Sequence, residues 1–216
     1  MFDTITVIGA GRAGSAIAAR LRERGFNLGD NGDLRLLCVP DRAIGEVARS
    51  IEPGPWVAHI SGGTPLSALD PHTRRFSVHP LQTLTLARGA EQLDGAWGAV
   101  TADTPEAHER ALWLAETLGL HPFALADDKR ALYHAGAAVA SNFLVTLHRA
   151  AASLFEQAAA PPEALVPLMQ RTIENGFELT GPIARGDRET VERHLAALKG
   201  NELEPLYLAL AEATRP

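Results

Sequence analysis

The chain has 216 residues, 46% hydrophobic and 21% charged, with a net charge of -6 at pH 7. That balance argues against disorder, and at ~150 residues per domain it allows one large domain or two small ones. The basic residues form no stripe, so nucleic acid is not an expected partner; no run reaches the ~20 apolar residues of a bilayer crossing, so no membrane is expected either. Cys38 is the only cysteine, which excludes an intrachain disulfide and fits a reducing cytoplasm. Met1-Phe2-Asp3-Thr4 lacks the basic start of a signal peptide, so no export signal is expected.

Residues 4–8 are β-branched and apolar and read as a buried parallel strand. Gly9-x-Gly11-x-x-Gly14 follows at once, and residues 15–24 read as a helix closed by Gly25. This strand–glycine loop–helix order is the context that gives the dinucleotide fingerprint its meaning. Gly9 permits the turn, Gly11 lets a pyrophosphate approach the backbone, and Gly14 lets helix and strand pack closely. Arg12 and Ala13 lie in the same loop, where the helix amides would meet phosphate. A second strand–helix unit normally follows, with an acidic residue for the adenosine ribose. Here residues 26–33 leave no room for one, because a parallel crossover takes at least ~10–12 residues. The first helix is therefore expected to lead directly to a strand at 34–39. Asp30 or Asp33 could still reach a ribose, although Asp33 is better read as an ordinary residue opening that strand.

The chain continues with a helix at 43–51, strands at 56–60, 76–79 and 97–100, a helix at 105–118 and a strand at 122–125. From Asp128 onward no strand pattern occurs. Helices are expected at 128–159, 164–179, 190–199 and 202–214, the first broken by Pro161-Pro162. The expected fold is a shortened α/β Rossmann-like domain, residues 1–126, with one strand–helix unit missing, followed by an all-α domain, residues 127–216. In open α/β sheets ligands sit beyond the carboxyl ends of the strands. That edge would gather Gly9–Gly14, Val39-Pro40, Ser61-Gly62 and His79-Pro80-Leu81-Gln82, residues suited to a nicotinamide and a small polar substrate.

Several segments occur together in order: Gly9–Gly14, Leu37–Asp41, His59–Gly62, His79–Thr83, Tyr133-His134, Ser141-Asn142 and Thr180–Asp187. They resemble a bacterial family of unassigned function with a Rossmann-like N-terminal and a helical C-terminal domain. Members are often labelled as NADP oxidoreductases. The family looks distantly related to ketopantoate reductase, pyrroline-5-carboxylate reductase and 6-phosphogluconate dehydrogenase. The resemblance implies NADP or NAD as cofactor and reduction of a small carbonyl or imine compound. It places His134 where ketopantoate reductase-like enzymes carry a lysine that protonates the substrate oxygen, and Asn142 where they carry a substrate-orienting asparagine. Ala138 stands where another asparagine would be. Ser141 lies within about 100° of His134 and Asn142 around the helix, on the substrate wall, and by the same resemblance Thr180 and Arg185 face the substrate.

Each assignment has a plain structural counterpart. His134 could bond a carbonyl in the domain interface, Asn142 could cap a kink or bridge helices, His79 could fix a loop with Gln82 as partner, and His59 in mid-strand is better read as structural. No metal-ligand spacing is present, so no metal is expected. About ninety residues of Ala/Leu-rich helix leave apolar surface uncovered, so a homodimer through the helical domain is expected. The alternative to a reductase is a Rossmann-like binding or scaffold protein that has lost its dinucleotide.

Overall fold

A computed structural model describes residues 2–214. Contacts divide the chain into two compact units, meeting in sequence at Ser141 and Asn142. In the first unit seven strands form one sheet: β1 (Thr4–Ile8), β2 (Asn27–Leu28), β3 (Leu34–Leu37), β4 (Trp56–His59), β5 (Arg75–Leu81), β6 (Trp97–Ala102) and β7 (His121–Ala124). The order across the sheet is β2-β1-β3-β4-β5-β6-β7, with β5 and β6 antiparallel and every other pair parallel. Helices α1 (Arg12–Glu23), α2 (Asp41–Arg49) and α3 (Pro105–Thr117) join parallel strands. The result is a Rossmann-like sheet.

Both faces of the sheet are covered. Ile17 and Leu21 of α1 and Ala111 and Leu114 of α3 pack with Ile5, Leu36 and Phe76 on one side. Ile44 and Ala48 of α2 pack with Leu37, Val57 and Leu66 on the other. The i, i+4 spacing in α1 and α2 produces one apolar stripe per helix. Each such fully buried Leu or Ile contributes roughly 1.5–3 kcal/mol.

The missing strand–helix unit is replaced by a short crossover. After α1 the chain does not run directly to β3; it first forms the two-residue edge strand β2, paired with Thr4 and Ile5 of β1. Residues 29–33 then cross β1 to start β3, whose Leu34 also pairs with Ile5. The usual minimum for a parallel crossover does not apply, because so short a strand demands no return along its length. The loop spans only two inter-strand spacings, about 10 Å. Gly32 makes the crossing possible: a Cβ there would lie 2.6 Å from the Thr4 carbonyl oxygen and 2.7 Å from the Thr6 nitrogen. The Thr6 hydroxyl donates to the Gly29 carbonyl (2.6 Å) and accepts from the Gly32 amide (2.9 Å). The Arg35 guanidinium donates to Thr6 Oγ1 (2.7 Å) and to the Asp30 carbonyl. Asp33 accepts from the amides of Asp3 and Thr4 at 3.1 and 3.3 Å. Of the two acids considered for a ribose, Asp33 is therefore occupied in fastening β1.

β5 also differs from expectation, running through Pro80 to Leu81 rather than ending at His79. Pairing with β4 stops at Ser77, while pairing with β6 continues to Leu81. Past Ser77 the β4 side is open, where a proline lacking an N–H is tolerated.

The long helix expected at 128–159 is divided. A 3₁₀ turn (Asp127–Lys129) leads into α4 (Arg130–Ala138), followed by a π-helical turn (Val139–Phe143) and α5 (Leu144–Gln157). At the π turn the Ser141 hydroxyl donates to the Ala137 carbonyl (2.7 Å), and the wider turn accommodates one extra residue. The second unit continues with α6 (Leu165–Glu174), α7 (Arg188–Leu198) and α8 (Glu204–Ala213). Among the described residues no helix is long and apolar enough to cross a membrane.

Candidate functional site

The β1–α1 junction has the shape of a phosphate cradle. Gly9 adopts φ +115°, a region that side chains disfavour. A Cβ on Gly9 would strike the Cys38 carbonyl, and one on Gly14 would come 3.1 Å from Cys38 Cβ. By contrast, a Cβ on Gly11 would meet nothing within 4 Å. The turn is closed from below and open above. Gly11 caps α1 with no side-chain hydrogen bond, and no acid occupies the first turn. The positive end of the helix is thus left for an anion. Arg12 and Ala13 begin this helix. Beside it lies a cavity of ≈ 440 Å³ lined by Gly9, Ala10, Gly14, Ser15, Arg22 and Asp30, among others. The short crossover supplies part of its wall, Leu28, Gly29 and Asp30. These residues fit a dinucleotide: an open glycine turn, an uncapped helix and an acid among the residues lining the cavity.

A second polar centre forms farther along the same edge. Arg130 opens α4 and is 1% exposed. Its guanidinium donates to Thr101 Oγ1 (2.8 Å), Ser77 Oγ (2.9 Å) and the Ser61 carbonyl, fastening α4 to three strands or their ends. Burial holds its pKa below the ordinary value, with Asp127 opposing. Tyr133 and His134 follow at i+3 and i+4, on the same helix face as Arg130. The Arg130 anchor therefore sets where both rings lie.

Tyr133 Oη lies 2.7 Å from His79 Nδ1, and the rings of His79 and His134 stand 6.0 Å apart. Ser61-Gly62-Gly63, just past β4, passes beneath these rings. A Cβ on Gly62 would sit 2.8 Å from His134 Cδ2 and 2.9 Å from His79 Nε2; one on Gly63 would sit 3.2 Å from His134 Nδ1. Only glycine lets both imidazoles close over this turn. The Ser61 hydroxyl donates to Asp41 Oδ2 (2.8 Å) and accepts from the Thr64 amide (3.0 Å), fixing the turn against the start of α2. Burial, helped by the charges of His134 and Arg130 and opposed by Asp41, brings the His79 pKa down to about 4. His79 is thus neutral at physiological pH. Burial raises the Tyr133 pKa to about 12, so its hydroxyl keeps its proton. His59, fully buried, accepts from the Ser61 amide (3.2 Å) and is pushed down to about 3 by burial and Arg130. That is the environment of a structural histidine.

Gly9, Gly11, Arg12, Ala13 and Gly14 form the cradle, Val39 and Pro40 lead from β3 into α2, and Ser61, Gly62, His79 and His134 converge. Gln82 does not partner His79; it is exposed and accepts from the Thr83 amide (2.9 Å), while His79 bonds Tyr133. Ser141 has its hydroxyl engaged by the Ala137 carbonyl. Asn142, Thr180 and Arg185 belong to the second unit, where Asn142 is exposed and Arg185 donates to the Thr180 carbonyl. Arg185 also lines a cavity of ≈ 680 Å³ with Asp187, Arg188 and Val191. Sequence reasoning gave Arg130, Tyr133 and Asp41 no role. The available signal was the Arg130–Tyr133–His134 spacing, which puts all three on one helix face. No group of acids, histidines and cysteine suited to a metal occurs among the described residues.

No curated protein matches the chain in sequence. Solved structures match its fold. A candidate NADP oxidoreductase, BF3122 from Bacteroides fragilis, is 21% identical with a TM-score of 0.81, covering 98% of this chain and 97% of that one. Protein TM1727 from Thermotoga maritima is 20% identical with a TM-score of 0.77, covering 97% and 96%. The 1-pyrroline-5-carboxylate reductase of Streptococcus pyogenes is 14% identical with a TM-score of 0.62, covering 98% and 96%. At such identities the likeness is one of fold. A family model described as a domain of unknown function, DUF2520, matches residues 96–214. The resemblance drawn from the motifs therefore holds, and the chain belongs to the DUF2520 family.

Proposed function

We propose that this chain is an NAD(P)H-dependent reductase of a small carbonyl or imine compound. The observation that carries the reading is the occurrence, in one sheet, of the open glycine cradle after β1 and the His79–Tyr133–His134 group at β5. The names of several structural neighbours point the same way: an NADP oxidoreductase, an NADH-preferring ketol-acid reductoisomerase and an NAD-binding semialdehyde dehydrogenase. A bound reduced nicotinamide supplies the hydride. The amides of α1 hold the pyrophosphate, and the Asp30 carboxylate accepts from ribose hydroxyls. His134 delivers a proton to the oxygen or nitrogen that gains charge. His79 stays neutral and fixes the Tyr133 hydroxyl, which serves as an uncharged hydrogen-bond donor. The cytoplasm is the expected compartment, with the second unit pairing two copies.

The two-residue β2 favours one other reading, a scaffold that no longer binds a dinucleotide. Calorimetric titration with NADH and NADPH separates the two. The reductase reading expects binding of at least one, and no binding of either at millimolar concentration rejects it. His134→Ala is then expected to lower turnover by roughly 100-fold, with cofactor affinity within about twofold of wild type. Unchanged turnover removes His134 from the chemistry.

A further inference from the structure

The sheet face that carries His79 continues past it. Side chains alternate along a strand, so Ser77, His79 and Leu81 of β5 share one face. Strand pairing sets them opposite Thr101, Ala99 and Trp97 of β6, and sets Ala99 and Trp97 opposite Phe123 and His121 of β7. Three rows result. Arg130 occupies the first by bonding Ser77 and Thr101. Tyr133 covers the second: its ring lies 5.5 Å from His79 and 5.9 Å from Phe123, above the small Ala99 between them. The third row, Leu81–Trp97–His121, is open. Trp97 is 56% exposed and Leu81 38%.

This openness is ordered. The Trp97 indole is braced at 5.6 Å by His121 and at 6.2 Å by Phe123, both tilted against it. Phe123 touches Tyr133, and Tyr133 bonds His79. A continuous set of rings therefore runs from the exposed indole to the polar centre. The third row lies about 7 Å from the second, two residues at ~3.3 Å each. A ring joined to a reacting group by a short linker spans that distance. Aromatic rings favour such offset and edge contacts with an indole.

We propose that the Leu81–Trp97–His121 shelf binds an aromatic ring of the substrate, setting its carbonyl or imine group beside His79 and His134. The identity of the reacting group rests on the reductase reading; the ring site does not.

The test is calorimetry on the full chain with two matched pairs of probes: 4-phenyl-2-butanone against 2-butanone, and phenylpyruvate against pyruvate. In at least one pair the aryl compound is expected to bind tenfold or more tightly. Trp97→Ala is expected to cut that advantage to under threefold, and Trp97→Phe to retain most of it. Trp97 is largely exposed, so neither change threatens folding. Equal affinities within both pairs, an advantage that survives Trp97→Ala, or no binding of any probe overturns the proposal. So does a blue shift of tryptophan emission with rising protein concentration and no probe, lost in Trp97→Phe, since a second copy would then cover the shelf. NADH titrated into the same samples keeps the two readings apart. NADH binding without an aryl preference rejects the shelf alone; a Trp97-dependent aryl preference without NADH or NADPH binding rejects the reductase alone.

Discussion

Burial changes what His79 can contribute at different pH. Its folded pKa of about 4 lies below the ordinary histidine value of 6.5. Between those values the unfolded chain binds a proton that the folded chain does not, so stability rises with pH across that window. The contribution is complete above about pH 6.5 and is lost as pH falls toward 4. For His79 it amounts to roughly 3 kcal/mol. Arg130, His134 and Asp41 are the ionisable groups that act on it. Urea unfolding at pH 7 and pH 4.5 should show wild type losing stability on acidification and His79→Asn losing distinctly less; equal losses would contradict the assignment. His59 adds to the wild-type slope in the same direction and remains in the variant. The sequence indicated His79 as a site residue but not its partner. Tyr133 is 54 residues away, and their meeting depends on the β5 register and on where α4 starts. Lys129 and Arg130 are adjacent basic residues, yet their side chains are 65% and 1% exposed. Adjacent residues on a helix point in different directions, and only three-dimensional packing decides which charge is enclosed.

At the scale of elements, the glycine cradle was readable because strand, loop and helix are consecutive in the chain. The missing strand–helix unit was readable by length alone. The way the chain fills that gap was not, since a two-residue strand has no periodicity to detect. Gly32 carries the crossing, because the atoms a Cβ would meet belong to the β1 backbone, which cannot turn aside. Gly32→Ala is therefore expected to destabilise the protein by about 2–3 kcal/mol, in the range of overpacked substitutions. It should also loosen the loop that holds Asp30 at the cavity wall, so NADH affinity should fall with stability. Gly29→Ala is the control, since its Cβ would meet only the Thr4 side chain, at an ordinary 3.6 Å. Thermal melts and NADH titration of both variants check this. Similar behaviour of the two would mean that the close approach at Gly32 carries no stability. The division of residues 128–159 by a π turn escaped the sequence for a related reason: apolar spacing continues across it, and one extra residue in a turn barely alters the pattern.

The whole molecule presents two kinds of interior. The first unit encloses its sheet between two apolar clusters. In the second unit Leu165 and Leu198 are the only buried hydrophobic side chains among the described residues. Leu168, Phe177 and Leu179 are 60%, 69% and 63% exposed. Four helices cannot supply a core with two buried leucines, because each large apolar side chain left in water forgoes roughly 1.5–3 kcal/mol. The cover we propose is a second copy, which every molecule of this chain has available; a two-fold interface is self-complementary, matching an apolar surface with itself. Light scattering at micromolar concentration is accordingly expected to give twice the 23.0 kDa chain mass. Leu168→Glu combined with Phe177→Glu should shift the mass toward the single chain, because a buried interface would then contain unpaired carboxylates. Both side chains are exposed within one copy, so the substitutions leave the first unit's sheet untouched. A wild-type mass of one chain would reject pairing, whereas a dimer indifferent to both substitutions would move the interface to another surface.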